Sequence, residues 1–331
     1  MNKNLIQSLI GIIIGAAFLF FTLYNKPVDQ IVDSLSKADT GWMLLNGLIL
    51  LAVFVLRALR WSLLLQNAGE KPRTRKVFYS LILGYFVNSF TPKFGEVIRC
   101  TSLKKNGDIP VAKSLGTVVS ERIYDLLVLL AGVTVIMLME LKRLGNILRD
   151  ITDNLGSTIS DHWLIFSAGF AVFILIIFIV SRIFRKSKLY VKVKVFIREI
   201  LITVKGTFKI KKYWLFLLYT VLIWIILAGL NYTFLCALPE TKGLSLYFAV
   251  VILFIGGIGW AFPSPGGIGT THFFVLHLFI TFGLSEQAGL AFGVLSNGLT
   301  FIYTIFFGLV AMAIHFIFAY KSVKKPAVTD C

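Results

Sequence analysis

The chain has 331 residues, of which 57% are hydrophobic and 15% charged, against roughly 45–50% apolar and about 25% charged in a soluble globular domain. With a mean hydropathy of +0.84, this excludes a disordered chain, a collagen-like fibre and an ordinary soluble enzyme. The net charge of +17 raises a nucleic-acid reading, but no nucleic-acid module is recognisable. The basic runs instead adjoin apolar stretches, as in the cytoplasmic loops of membrane proteins, so no nucleic-acid partner is expected. Cys100, Cys236 and Cys331 form no CxxC pair, and the four histidines lack metal-ligand spacing, so neither metal nor cofactor is expected.

The apolar residues fall in blocks long enough to cross a bilayer, which makes the chain an all-α polytopic membrane protein. In chain order the expected spans are 5–24, 41–65, 118–140, 162–181, 213–238 and 289–319. The first is too long for a signal-peptide core and no small-x-small cleavage site follows it, so it is expected to remain as a span. Two apolar stretches do not read as simple spans. Residues 77–91 (VFYSLILGYFVNSFT) run straight into Pro92, and 246–262 break at PSPGGIG before resuming from Phe273 to Phe282.

Lysine and arginine counts decide the path. With alternate loops assigned to the two sides, 24 positive charges fall on one side and six on the other. That bias puts both termini in the cytoplasm. Stretch 77–91 is then flanked by basic loops and should enter and leave on the cytoplasmic face. Stretch 246–283 is flanked by loops poor in positive charge and should enter and leave on the outer face. Both read as re-entrant hairpins. Each half, 1–140 and 162–320, then runs span, span, hairpin, span, and the odd number of spans inverts the second half relative to the first. The basic linker 182–212 reads as an amphipathic helix on anionic lipid.

Ionisable residues inside a membrane usually face a cavity or a partner. Arg57 and Arg60 close the second span beside Trp61, where snorkelling to lipid phosphate is one explanation. Glu121 and Asp125 lie four apart on one helix face with Thr117 and Lys113; they repel unless cations approach, and Arg122 beside them is expected to serve only one flank. Glu96 and Arg99 form a second pair just after the first hairpin turn. Two readings stand together: a salt-bridge network that holds the hairpin to its neighbours, or a polar cavity whose arginine forks receive an anionic head group.

PSPGGIG (263–269) has its own logic. Pro263 and Pro265 remove backbone donors, and Gly266, Gly267 and Gly269 permit dihedrals that other residues avoid. Irregular backbone at membrane depth survives only where protein buries it or water reaches it. A hairpin tip lining a cavity fits that requirement. Walker, GxSxG and HExxH motifs are missing from the sequence, as is a soluble domain of useful size.

RALRW (57–61), NSFTPKFGEVIR (88–99), ERIYD (121–125) and PSPGGIG (263–269), in that order, resemble the lysylphosphatidylglycerol synthase transmembrane region, the flippase-like membrane domain family, over essentially the whole chain. The resemblance implies a single inner-membrane domain that moves a lipid between leaflets, partnered by membrane lipids and, in some members, by a separate lipid-modifying enzyme. The cytoplasmic aminoacyltransferase domain of the bifunctional members is not expected, because 11 residues follow Tyr320. The residues carried over are Arg57, Arg60, Asn88, Pro92, Gly95, Glu96, Arg99, Glu121, Arg122, Asp125, Pro263, Pro265, Gly266, Gly267 and Gly269. One departure stands out: His272 occupies the position where the family commonly has an acidic residue.

A transporter of phospholipid or polyprenyl-linked glycolipid is the first expectation. A membrane-embedded glycosyl or aminoacyl lipid transferase using Glu96, Glu121 and Asp125 is the second, and a non-catalytic scaffold the third.

Overall fold

The computed structural model describes residues 20, 28–91, 93–140, 195, 198, 200–203, 205–206, 210–261 and 264–323. The expected spans 5–24 and 162–181, most of the linker 182–212, and the hairpin prolines Pro92 and Pro263 lie outside the described residues. Among those described, helices are joined by short turns and no strand occurs.

A short helix, α1 (Val28–Ser36), precedes α2 (Thr40–Asn67). Asp39 starts α2 by accepting the Gly41 and Trp42 amides at 2.8 and 3.4 Å, which satisfies donors that a helix start leaves without partners. At 28 residues and 1.5 Å per residue, α2 is about 42 Å long, enough to cross a bilayer. Helices α5 (Val111–Met139) and α6 (Tyr213–Ala237) and the first 30 residues of α9 (Glu286–Val323) also qualify by length and hydropathy. These four match the expected spans 41–65, 118–140, 213–238 and 289–319.

The two apolar stretches that resisted reading as spans are both broken helices. Helix α3 (Thr74–Phe90) stops one residue short of Thr91, which is extended at φ −134° and ψ 134°, the conformation that a following proline imposes. The chain restarts as α4 (Gly95–Gly107), which packs back along α3. In the second half, α7 (Leu246–Ala261) gives way to a 3₁₀ turn, Pro265–Gly267, and α8 (Thr270–Thr281) returns along α7. Arms of 17 and 16 residues reach about 25 Å, so each runs deep into a bilayer and comes back.

Close approach closes both hairpins. A Cβ on Gly95 would lie 1.9 Å from the Gly84 carbonyl oxygen, and one on Gly259 would lie 2.7 Å from the Thr271 Cα. Only glycine fits at either crossing.

The hairpins come from opposite ends of the molecule. The end of α2 and the start of α5 are joined by Glu70 and Lys113 at 2.7 Å, and α3 begins and α4 ends on this side. At the other end the Asp39 amide donates to the Ala237 carbonyl at 2.8 Å, and the Tyr247 hydroxyl donates to Glu140 at 2.9 Å. There α7 begins and α8 ends.

The tips meet between them. The Lys93 ammonium donates to the Trp260 carbonyl at 2.9 Å, and the end of α3 packs against the Pro265–Gly267 turn, while the Phe90 ring meets Phe301 of α9 at 5.8 Å. A core containing Phe54, Trp61, Leu64, Leu81, Phe216, Phe234 and Phe279 fills the interior. Leu44 and Leu48 on α2, Leu126 and Leu130 on α5, Ile225 on α6 and Ile302 and Phe306 on α9 are exposed. An outer surface of that kind suits lipid rather than water.

Candidate functional site

Seven ionised side chains come together beside the first hairpin. Arg57 and Arg60 lie on α2, Glu96 and Arg99 on the first turns of α4, and Glu121, Arg122 and Asp125 on α5. In a lone α5 the two carboxylates would repel. Folding resolves this by aiming the α2 and α4 arginines at that face. Arg60 is the centre: it is fully buried and grips Asp125 with both forks, Nη1 to Oδ1 at 2.7 Å and Nη2 to Oδ2 at 3.0 Å. Its Nη2 also donates to Glu121 Oε1 at 3.3 Å and its Nη1 to the Thr220 hydroxyl at 3.4 Å. This geometry overturns the snorkelling explanation for Arg60, whose guanidinium points into the protein.

Glu121, fully buried, accepts from three arginines: Arg60, Arg99 Nη1 at 3.3 Å and Arg122 Nη2 at 3.0 Å. Arg99 stacks over the Trp61 ring at 4.7 Å, and the Trp61 indole in turn donates to the Thr117 hydroxyl at 2.9 Å. Arg99 Nη2 lies 2.7 Å from Glu96 Oε2, yet the groups are misaligned for hydrogen bonding, so both atoms remain without a partner of that kind. This contact is an ion pair by distance only.

Arg122 does more than expected. It lies 3.6 Å from Glu96, 3.0 Å from Glu121 and 3.9 Å from Asp125, so it touches all three carboxylates rather than one flank. Its side chain is nevertheless 43% exposed, which makes it the open edge of the cluster. Arg57 reaches Tyr85 instead, donating to the phenol oxygen at 2.8 Å, with Asp125 3.9 Å away.

Four arginines against three carboxylates leave one positive charge, and the Nε atoms of Arg60 and Arg99 have no acceptor. The cluster is therefore rich in cation and in donors.

Other predicted residues have structural duties. Asn88 Oδ1 accepts the Gly95 amide at 2.7 Å and so caps the second arm of the first hairpin. His272 is buried, and its Nδ1 accepts the Gly269 amide at 3.4 Å. An acidic residue at this third helical position commonly reaches back to the amide preceding the helix; His272 supplies the same acceptor with a neutral ring nitrogen.

Gly266, Gly267 and Gly269 have φ of +57°, +74° and +83°. The turn they form is tied by Thr270, whose hydroxyl lies 2.8 Å from Ser264 Oγ and 2.9 Å from the Gly259 carbonyl. Pro265 opens that turn.

Sequence reading missed Lys93, counted only as a loop charge. It missed Tyr85, Trp61 and Thr220 as partners of the arginines. A lysine directly after the hairpin proline, between apolar arms, was the available signal for the first. A cavity of about 230 Å³ lined by Lys71, Arg73 and Lys76 lies at the loop end of the first hairpin and does not include the cluster. Among the described residues no group of His, Cys, Asp and Glu side chains is placed to hold a metal ion.

Two opposed broken-helix hairpins, framed by apolar helices and flanked by a buried charge cluster, define an all-α polytopic membrane protein with a re-entrant core. The chain belongs to the lysylphosphatidylglycerol synthase TM region family, whose model matches residues 8–308. It is 27% identical over 128 residues to a UPF0104 membrane protein of Methanocaldococcus jannaschii, covering 38% of each chain. It is 28% identical over 122 residues to one of Pyrococcus horikoshii, covering 35% of this chain and 36% of that one. The chain thus spans little more than a third of the length of these relatives. No solved structure matches it.

Proposed function

We infer that the chain moves a lipid with an anionic or modified head group, a phospholipid or a polyprenyl-linked glycolipid, between the leaflets of the inner membrane. The observation that carries this reading is the charge cluster. Ionisable groups within a bilayer cost several kcal/mol and concentrate along substrate paths. Here seven meet beside two hairpins whose tips touch, with positive charge and hydrogen-bond donors in excess, as an anionic head group requires.

The family membership supports the same direction, and halves inverted as the charge bias implies would supply a scaffold that rocks about a central site. The transferase reading draws less support. Every candidate carboxylate lies within 4 Å of at least one arginine, so each is already engaged in an ion pair of the protein rather than presented to a substrate. Charge bias orients both termini to the cytoplasm, where a separate lipid-modifying enzyme would deliver substrate.

The test is reconstitution. Purified protein in vesicles carrying fluorescent phosphatidylglycerol, lysyl-phosphatidylglycerol or a short polyprenyl phosphate glycolipid is treated with a membrane-impermeant quencher. Movement of at least one of these above protein-free vesicles supports the reading. Protein that accelerates none of them is a scaffold or an enzyme.

A further inference from the structure

Lys93 combines three features that rarely meet in one residue. It sits at the tip of a hairpin some 25 Å from the start of α3, so its charge lies deep in the bilayer. Its backbone is left-handed, at φ +59°, a region that non-glycine residues seldom adopt and that clusters at functional sites. Its ammonium hydrogen-bonds to a neutral group, the Trp260 carbonyl of the opposing tip, at 2.9 Å. Among the described residues no carboxylate lies within ion-pairing distance of it.

The cation is also reachable. Lys93 and Phe94 are exposed, as is Trp260. The acidic groups nearby are already engaged by four arginines, so adding Lys93 raises the local excess to two positive charges. Arg122, the half-exposed edge of the cluster, is the neighbouring cation. A carbonyl is a weak partner for an ammonium, and a phosphate oxygen is a strong one.

We propose that Lys93 is the phosphate ligand of the transported lipid and, with its ammonium resting on Trp260, the latch between the two hairpin tips. This rests on the transport reading above and names the substrate class as a lipid with a net anionic phosphate head group. When the head group arrives between Lys93 and Arg122, its phosphate takes the ammonium from the Trp260 carbonyl. The tie between the tips is then broken by the substrate itself, so opening is coupled to occupancy. A zwitterionic head group presents the same phosphate but brings its own cation into a positively charged site, which repels it.

Three variants separate latch from ligand. Lys93→Arg keeps the charge, Lys93→Gln keeps a donor for Trp260 without the charge, and Lys93→Met keeps neither. The side chain is exposed, so all three are expected to melt in detergent close to wild type. Native mass spectrometry with short-chain phosphatidylglycerol, phosphatidylcholine and inorganic phosphate reads binding, and the vesicle assay reads movement.

Losing a charge-assisted hydrogen bond is expected to weaken phosphatidylglycerol binding about tenfold or more in Lys93→Gln and Lys93→Met. Binding should persist in Lys93→Arg, and the wild-type preference for phosphatidylglycerol over phosphatidylcholine should vanish in the uncharged pair. Lys93→Gln, latched but unliganded, should move lipid most slowly. Inorganic phosphate at millimolar concentration should not displace the lipid; displacement would make this a free-anion site and overturn the proposal.

Wild-type affinity, preference and rate in Lys93→Met would overturn it while leaving the transport reading in place. Lys93-dependent binding by a wild-type protein that moves no lipid would overturn the transport reading and the latch with it, and leave Lys93 as a lipid-phosphate ligand only.

Discussion

Arg60 on α2 and Asp125 on α5 face each other fork to fork, with two parallel contacts of 2.7 and 3.0 Å. This geometry needs a planar guanidinium. Arg60→Met leaves Asp125 and Glu121 short of a cation, and stranding a buried charge is destabilising by about 3–5 kcal/mol. We expect low yield and a clearly lower melting temperature in detergent. Arg60→Lys should recover only part of the loss, because an ammonium cannot serve both carboxylate oxygens at once.

Arg122 should behave differently although it touches the same carboxylates. Its half-exposed side chain leaves water or lipid phosphate available to replace it, so Arg122→Ala should lower stability by only about 1 kcal/mol while lipid movement falls. Measured together, melting and transport should place the two arginines in separate classes. A stability loss as large as that of Arg60→Met would assign Arg122 to the structural network alone.

The first hairpin predicts its own pair of variants. Gly95→Ala drives a methyl to 1.9 Å from the Gly84 oxygen and 2.6 Å from Asn88 Oδ1, an overpacking expected to cost about 1–3 kcal/mol or more. Gly229→Ala on α6 is the control: nothing lies within 4 Å of the added methyl, and alanine favours a helix over glycine by about 1 kcal/mol. Thermal melts should move in opposite directions.

At the second tip, adjacent glycines should differ. A Cβ on Gly267 would lie 2.9 Å from Thr271 Oγ1 and 3.1 Å from the Trp260 ring, whereas one on Gly266 meets nothing nearer than 3.8 Å. Both have positive φ. Gly266→Ala should therefore carry only the conformational cost of about 1–2 kcal/mol and keep transport. Gly267→Val should insert in the membrane yet cease to move lipid, and wild-type movement by Gly267→Val would show that the tip does not gate.

Orientation is testable at two exposed lysines at opposite ends of the molecule. With Cys331 replaced by serine, Cys100 and Cys236 are both buried. A cysteine at Lys242 should react with an impermeant maleimide in intact cells, and one at Lys105 only after permeabilisation. The reverse pattern would invert the topology.

Hydropathy made the long helices legible to within a few residues, because apolar content over twenty residues is a local, additive property. The exception is the start of α5 at Val111, seven residues before the expected span, where polar residues carry the helix beyond its apolar stretch. The hairpins were legible too. Thr91, extended ahead of a proline, ends α3 by sterics that any context obeys, and Pro265 opens the second turn. Gly95 marks where the first arms cross, whereas the second crossing falls at Gly259, which the sequence pattern does not single out. What stayed hidden was pairing between elements distant in the chain. Nothing local to Arg60 says that Asp125 lies opposite, so snorkelling and burial looked alike. Lys93 was hidden for a related reason: its partner, Trp260, is 167 residues away. Asn88 is expected to line the head-group cavity, and its nearest bond fastens the first hairpin turn; His272, expected as a hinge residue, bonds within the second turn.

The crossing of Gly84 and Gly95 also bears on mechanics. With the Gly95 amide held by Asn88 and the two backbones in contact, the arms of the first hairpin cannot scissor apart without breaking their tightest packing. The tip must therefore travel with the whole hairpin, as a rigid wedge. A swivel of that wedge would act at its base, where Gly69 (φ +83°) follows α2 and Asp108 (φ +56°) ends α4. A small swivel there, multiplied along a lever of about 25 Å, displaces Lys93 by several times the movement at the pivot.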